Sequence, residues 1–168
     1  ISTNRYCHSL LHAIQNLGRP VRQIVCYGLG PVCRAIVSQH QLTVLSWLGN
    51  RLGVPVYCYD PCFDNDDLLV LRHFGIDMCE YPGYPNHNKY TLLFMPHCER
   101  NVYVDLLTAL DTKSMVCVFG NRLSMYEEFK DVEFLRSYRV DDAEYIRSDV
   151  FNDCYLHEYL EGTINLLT

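Results

Sequence analysis

The sequence lacks several features that would assign it to a broad class of proteins. No apolar segment approaches the ~20 residues that a transmembrane helix needs, and the first residues do not form the basic and apolar parts of a secretory signal peptide. No Asn-x-Ser/Thr acceptor for N-glycosylation occurs. We therefore expect no membrane partner and an intracellular location, in the cytoplasm with the nucleus as a second candidate.

Cysteine pairs at zinc-binding spacing are also missing, although the chain has nine cysteines in its 168 residues. The number is odd and no Cys-x-x-Cys occurs, which argues against both a disulfide framework and a zinc knuckle. A thiol inside a core strand packs as a small hydrophobic side chain. Four cysteines fall inside predicted core strands: Cys26, Cys58, Cys79 and Cys117. These observations predict a reduced protein without a metal ion.

Basic residues are too few for sequence-independent binding to nucleic acid. Lys and Arg number 14 against 20 Asp and Glu, which gives a formal net charge of -6, whereas such binding requires a basic face. The acidic residues are concentrated in the last third of the chain. We expect an acidic, solvated surface there and no direct nucleic-acid partner.

The most informative stretch that is present is a strand that turns abruptly into a helix. An apolar run at residues 24–27 is followed by Gly28-Leu29-Gly30 and then by a helical pattern. This order is typical of a buried parallel strand whose following helix starts beside a ligand crevice. Cys33 occupies the place of the third glycine, so the G-x-G-x-x-G dinucleotide fingerprint is incomplete. A tight turn without a ligand is the alternative interpretation.

Strands and helices alternate along the chain. Apolar runs bounded by turn residues predict strands at residues 23–28, 56–59, 76–80, 90–95, 115–119, 144–147 and 154–159. Apolar residues at helical spacing, with glycine or proline stops, predict helices at residues 5–17, 32–52, 64–74, 100–110 and 124–130, the last of which can extend to residue 138.

This alternation predicts an α/β fold, a doubly wound and mostly parallel Rossmann-like sheet with helices on both faces. We expect the first five strands in the order three-two-one-four-five, with an antiparallel C-terminal pair at one edge. That order resembles the sheet of Rossmann-like methyltransferases. We expect a single domain over residues 1–168, in which 1–20 form a helix on the sheet, 21–130 the parallel core and 131–168 the C-terminal edge.

Chemically distinctive residues follow four of the predicted strands. Because parallel strands end at one edge of a sheet, where ligands bind, we expect these residues to converge: Gly28 and Gly30, Asp60 and Pro61, His97 and Cys98, and Gly120 and Asn121. Asp60 is placed either to accept hydrogen bonds from ribose hydroxyls or to cap its own turn. Methyltransferases that bind S-adenosylmethionine usually have an acidic residue two positions before the first glycine, where this chain has Cys26.

The His97-Cys98 dipeptide has two interpretations. An imidazole and a thiol can supply a nucleophile or the axial ligand of a haem iron. Adjacent residues of an extended segment point in different directions, which favours a buried thiol and a hydrogen-bonded imidazole that hold the loop. Cys154 and His157 lie three residues apart on the last predicted strand and therefore face opposite sides. That spacing argues against a shared metal ion.

Four short motifs resemble one protein family. They are Tyr27-Gly28-Leu29-Gly30, Tyr59-Asp60-Pro61, Met95-Pro96-His97-Cys98, and Phe151-Asn152-Asp153 with Leu156-His157. Together they are similar to the SRR-like domain family, named for "sensitivity to red light reduced", over residues 23–159. The resemblance implies a eukaryotic regulatory protein linked to circadian and light-dependent signalling, and in animals to haem biosynthesis. It implies no settled enzymatic activity.

The strand ends and the family motifs give one candidate ligand-binding set: Tyr27, Gly28, Gly30, Asp60, Pro61, His97, Cys98, Gly120, Asn121, Asn152, Asp153 and His157. The candidate ligands are haem, S-adenosylmethionine and a nucleotide. Three functions are consistent with this set: a ligand-binding regulator of the circadian or haem-biosynthesis type, a methyltransferase-like enzyme that uses S-adenosylmethionine, and a ligand-free scaffold for protein partners.

Overall fold

The computed structural model describes residues 2–83, 86, 88–109, 115–132, 134–141, 145 and 147–159. Its strands are β1 (Gln23–Tyr27), β2 (Val56–Tyr59), β3 (Asp77–Met78), β4 (Thr91–Met95), β5 (Val116–Asn121), β6 (Phe134–Arg139) and β7 (Cys154–Tyr159). They form one sheet in the order β3-β2-β1-β4-β5-β7-β6. The first five strands are parallel, and β7 and β6 are antiparallel. The predicted fold class and strand order are confirmed.

Five α-helices are described, one before β1 and four in connections between strands. They are α1 (Ser2–Gln15), α2 (Ile36–Leu52), α3 (Asn65–His73), α4 (Arg100–Ala109) and α5 (Ser148–Phe151). The start of α3 follows from its sequence, because the Asp64 carboxylate accepts the N–H groups of Asp66 and Asp67 and thereby caps the first turn. Within the described part of the chain, no helix is both long and apolar enough to cross a membrane.

The sheet is buried on both faces, which explains why its central strands are apolar at nearly every position. On the first face, the inward residues of β1, β4 and β5 pack with α1, α2, α3 and α5. On the second face, the alternate residues of the same strands pack with Tyr103, Leu106 and Leu107 of α4. The two cores lie on opposite sides of the same strands because successive side chains of a strand alternate in direction.

The connection between β3 and β4 leaves part of the second face without a helix. The described residues of this connection (79–83, 86 and 88–90) are irregular. Beside α4, the second face carries three partly exposed tyrosines on or next to the strands: Tyr57, Tyr59 and Tyr81. Because the described residues of this connection form no helix over the strands, an aromatic surface lies beside the ends of β1 and β2.

Two local predictions are wrong. The predicted helix at 124–130 consists of two short 3-10 helices, Leu123–Met125 and Glu127–Phe129, and its extension to 138 is occupied by β6. The strand predicted at 144–147 is absent from Tyr145 and Arg147, while residues 144 and 146 lie outside the described residues. The physical reason is pairing: β6 takes the edge position beside β7, and local sequence patterns do not report such long-range hydrogen bonds.

The long helix α2 begins at Ile36, four residues later than predicted. The Pro31 carbonyl accepts the N–H groups of Arg34 and Ala35, and Ala35 has extended backbone angles of φ -113 and ψ 118. The segment after the glycines is therefore a turn that precedes the helix. This turn moves the start of α2 away from Gly28 and Gly30.

Candidate functional site

The carboxyl ends of β1, β2, β4 and β5 lie at one edge of the sheet, where the winding direction reverses between β1 and β4. A cavity of about 280 Å³ lies at this edge. Its lining residues are Tyr27, Gly28, Tyr59, Pro61, Tyr81, Asn101, Val102 and Asp105. Three of the twelve residues predicted from the sequence line it, and the other lining residues come from β2, the loop after β3, and α4.

Both glycines after β1 are required by the backbone and by packing. Gly28 and Gly30 have left-handed φ values of 72° and 77°. A Cβ atom on Gly28 would lie 2.6 Å from the Cys98 Sγ, and one on Gly30 would lie 2.6 Å from the Ser38 Oγ. The turn therefore places Gly28 against the strand end of β4 while it lines the cavity.

Asp60 joins the ends of β1 and β2. Its Oδ2 accepts the Gly30 N–H at 2.8 Å, and its Oδ1 accepts the Cys62 N–H at 2.9 Å. Each carboxylate oxygen has a backbone donor, as expected of a residue that caps its own turn. The ribose-binding role of Asp60 stays a prediction, while the neighbouring Pro61 lines the cavity.

Asn121 organises the turn that follows β4. Its Oδ1 accepts the His97 N–H at 2.9 Å, and its Nδ2 donates to the Cys98 carbonyl and to the Tyr126 hydroxyl, each at 3.0 Å. Its own N–H donates to the Tyr103 hydroxyl at 2.9 Å. Both the oxygen and the nitrogen of the side-chain amide are thus hydrogen-bonded within the protein.

Gly120 is fixed by the same region. A Cβ atom there would overlap the Tyr103 hydroxyl and lie 2.7 Å from the Met95 carbonyl oxygen. Tyr103 donates its hydroxyl hydrogen to that carbonyl. The glycine therefore allows α4 to anchor the ends of β4 and β5 together.

His97 and Cys98 have separate partners. The exposed His97 has a left-handed φ of 60°, and its ring Nε2–H donates to the Val150 carbonyl at 3.1 Å. The buried Cys98 thiol donates to the Tyr27 carbonyl at 3.0 Å. Burial, with a smaller contribution from the Asp60 charge, raises the pKa of this thiol. The structure thus does not join the two side chains as a nucleophile and its base.

His157 is a buried, neutral residue between β5 and β6. Its Nε2–H donates to the Asn121 carbonyl at 3.0 Å, and its Nδ1 accepts the Ser137 hydroxyl at 2.8 Å. Burial lowers the pKa of His157 to about 4. The preceding turn exposes Asn152 and Asp153, and neither lines the cavity. The hydrogen bonds of His157 therefore join β7 to the end of β5 and to β6.

Sequence reasoning missed the aromatic and acidic part of the cavity. The rings of Tyr59 and Tyr81 are stacked at 5.5 Å with an interplanar angle of 16°, and the Tyr81 ring meets Tyr27 edge-on at 5.9 Å. The Tyr81 hydroxyl donates to the Asp105 Oδ2 at 3.0 Å. Burial and then this carboxylate raise the pKa of Tyr81 to about 12. One available signal was topological, since the helix after β4 begins at the same edge of the sheet.

No lysine, arginine or histidine is among the eight residues that line the cavity. Arg100, at the start of α4, pairs with Glu128 instead. In the described ranges, no three His, Cys, Asp or Glu side chains form a group that could hold a metal ion. The cavity therefore presents aromatic rings and one carboxylate.

Comparisons with known proteins place the chain in a family. The model of the SRR1 domain matches residues 7–158. Protein SENSITIVITY TO RED LIGHT REDUCED 1 of Arabidopsis thaliana is 31% identical over 118 residues, which are 63% of this chain and 42% of that protein. An SRR1-like protein of Mus musculus is 29% identical over 62% of this chain and 45% of its own length. The matches thus span less than half the length of these two relatives.

Two further comparisons concern a more distant relative and the fold. An SRR1-like protein of Drosophila melanogaster is 26% identical over 93% of this chain and 62% of its own length. The crystal structure of the 23S rRNA methyltransferase ErmE has a TM-score of 0.50 and 10% identity, covering 96% of this chain and 69% of that one. This second likeness shows a methyltransferase-like Rossmann fold and no more. Because the SRR1 model covers most of the chain, the protein belongs to the SRR1 domain family.

Proposed function

We propose that this chain is the regulatory domain of an SRR1 family protein and that it binds a small ligand in the cavity at the carboxyl edge of its sheet. The observation that carries the proposal is the position of the cavity, beside Gly28 and at the reversal of winding between β1 and β4. In open α/β sheets, ligands bind at this point. We further propose that residues 1–168 form a single domain.

The size of the cavity supports a small ligand. Ligand sites commonly have volumes of roughly 300–1,000 Å³, and this cavity, at about 280 Å³, is close to the lower end. Haem ligation by the Cys98 sulfur or by the Nε2 of His97 would require breaking the hydrogen bonds that these atoms make to the Tyr27 and Val150 carbonyls. The cavity and these bonds support a ligand smaller than haem.

The regulatory part of the proposal comes from the family. The name of the Arabidopsis relative refers to reduced sensitivity to red light. By this relationship we propose a role in light-dependent or circadian regulation, with haem biosynthesis as the animal counterpart, in the cytoplasm or nucleus. Ligand binding would alter the affinity of the domain for protein partners.

A methyltransferase-like enzyme is the second candidate, favoured by the sheet order β3-β2-β1-β4-β5-β7-β6. The residues present do not fit its cofactor well. Cys26 is fully buried and lies in register with Cys58, so β1 offers no acidic group to a cofactor amine. Both Asp60 oxygens already accept backbone N–H groups. We therefore derive no methyl-transfer step.

A thermal-shift screen tests the proposal. The chain is incubated with S-adenosylmethionine, NAD(P), nucleotides, haem and small organic amines. A ligand of the native state raises Tm in proportion to the logarithm of its concentration once binding approaches saturation. Asn101→Trp, which fills the cavity from the exposed start of α4, is expected to abolish the shift.

The matched control is Thr108→Trp, which places the same bulk on an exposed position of α4 away from the cavity. It is expected to retain the shift. If no ligand of any class changes Tm, ligand binding is overturned and the scaffold for protein partners replaces it. A shift that survives Asn101→Trp would place the ligand elsewhere.

A further inference from the structure

Three tyrosines form one aromatic group in the cavity, which we call the tyrosine cluster: Tyr27, Tyr59 and Tyr81. The ring centroids of the stacked Tyr59 and Tyr81 are 5.5 Å apart. The ring centroid of Tyr27 lies 6.4 Å from that of Tyr59 and 5.9 Å from that of Tyr81. The negative faces of such rings attract cations. Tyr27 is only 1% exposed, whereas Tyr59 and Tyr81 are partly exposed. Tyr59 and Tyr81 are therefore the two rings suited to a positively charged group, and Tyr27 supports them from below.

The hydroxyl groups of two of these rings are held by the protein. Tyr27 donates to the Gly83 carbonyl, and Tyr81 donates to the Asp105 carboxylate. These bonds fix the rings in position before any ligand arrives. A preorganised cage loses less entropy on binding than one that must assemble around its ligand.

The charge of the cavity selects against anions. Asp105 is the ionisable acid among the lining residues, and none of the eight is basic. The chain as a whole carries a net charge of -6. The N-terminus of α4 contributes a partial positive charge of about one half, which the full charge of Asp105 outweighs. A phosphate in this cavity would have no basic side chain among the lining residues to pair with.

We propose that the ligand recognised in this cavity is an organic cation of the methylated ammonium class. The partly exposed rings of Tyr59 and Tyr81 would contact its methyl groups, and Asp105 would balance its charge. This inference rests on the proposed function, because it names the class of ligand that the same cavity takes. The group can belong to a free amine or to the methylated lysine of a peptide.

Two ligands of nearly equal shape separate the effect of the ligand's charge from the effect of its size. Choline and 3,3-dimethylbutan-1-ol have nearly the same shape, but only choline is charged. By isothermal titration calorimetry, choline is expected to bind roughly five- to tenfold more tightly than the alcohol. Equal affinities would overturn the inference. A trimethyllysine peptide and its unmethylated form, titrated in parallel, distinguish a peptide source from a free amine.

Two variants assign the interaction to named groups. Asp105→Asn is expected to weaken choline binding several-fold without changing the affinity for the alcohol, because only the charged ligand needs the carboxylate. Tyr59→Leu removes one ring and is expected to weaken choline binding, whereas Tyr59→Phe restores the ring and most of the affinity. Asp131→Asn, at an exposed position outside the cavity, serves as the charge-matched control.

The outcomes separate this inference from the proposed function. If a nucleotide or another anion binds and Asn101→Trp abolishes that binding, the cavity is a ligand site but the proposed class of ligand, an organic cation, is wrong. If neither choline nor any ligand of the thermal-shift screen binds, both proposals fail. Choline binding that is unaffected by both Asp105→Asn and Tyr59→Leu would also overturn the inference.

Discussion

The carboxyl edge of the sheet has two halves, which differ in whether their side chains line the cavity. The network half consists of His97, Cys98, Asn121 and His157, whose side chains all bond to backbone or hydroxyl groups of the protein. The cavity half consists of the tyrosine cluster and Asp105. The residues that stand out most in the sequence therefore stabilise the edge, and the less conspicuous ones surround the open volume.

This difference has a general physical basis. A buried polar group costs free energy unless it is hydrogen-bonded, so side chains that fix a turn are satisfied by the turn itself. A binding surface keeps faces or lone pairs available, as aromatic rings do. The comparison predicts that substitutions in the network half change stability and that substitutions in the cavity half change binding.

The largest expected effect is that of Asn121→Ala. It removes the acceptor of the His97 N–H and the donor to Cys98 and Tyr126. Three lost hydrogen bonds in a half-buried turn are expected to lower the free energy of unfolding by about 3 kcal/mol. Urea denaturation measures the loss, and Glu127→Ala, which breaks an exposed ion pair, should cost about 0.5 kcal/mol or less. Equal effects of the two changes would contradict the role of Asn121.

The next effect concerns pH and His157. Its pKa is about 4 in the folded protein against a usual value of 6.5, so the unfolded chain binds the proton more readily. The contribution of neutral His157 to the free energy of unfolding is fully present above pH 6.5 and is lost as the pH falls toward 4. Between pH 7 and pH 5 the free energy of unfolding should therefore fall by about 2 kcal/mol.

Denaturation at several pH values measures this slope. His157→Gln keeps a side-chain donor but cannot be protonated, so its stability should depend less steeply on pH over that range. The same slope in the variant and in the natural sequence would show that other groups cause the pH dependence.

A smaller effect is expected for Asp60→Asn, at the boundary between the two halves. An asparagine has one oxygen and one NH₂ group, so it can accept only one of the two backbone N–H groups, of Gly30 or of Cys62. Its NH₂ group would face the other N–H, which places two donors against each other. We expect a loss of about 1–2 kcal/mol in the free energy of unfolding. Unchanged stability with weaker ligand binding would instead assign Asp60 to the cavity half.

The smallest change in stability is expected for Asp105→Asn in the cavity half. Asp105 is exposed, and an asparagine can still accept the Tyr81 hydroxyl hydrogen. The free energy of unfolding should change by about 0.5 kcal/mol or less, as measured by the same denaturation method. A loss comparable to that of Asn121→Ala would remove the distinction between the halves.

Much of the fold could be predicted because the central strands are buried on both faces and therefore appear as apolar runs. The strand order was expected by analogy with the sheet of Rossmann-like methyltransferases, and only the handedness of its crossovers follows from a general rule. The edge strand β6 could not be predicted from its own residues, because its partner β7 lies about 20 residues further along the chain.

The candidate site was predicted less completely. Strand ends correctly indicated the edge of the sheet and the glycine turn, but they do not tell where a side chain points. Asp60 and His157 turn toward backbone groups. Tyr81 and Asp105 meet only because the loop after β3 and the start of α4 come together in the folded chain. Such contacts between distant segments have no local signature.

The most direct test of the account is an NMR titration of the isotope-labelled chain with choline, with 3,3-dimethylbutan-1-ol as the uncharged reference. We expect amide shift changes for choline that centre on the cavity half, at Gly28, Tyr81 and Val102, and that leave Asn121 and His157 nearly unchanged. Larger changes in the network half, or equal responses to the two compounds, would contradict it.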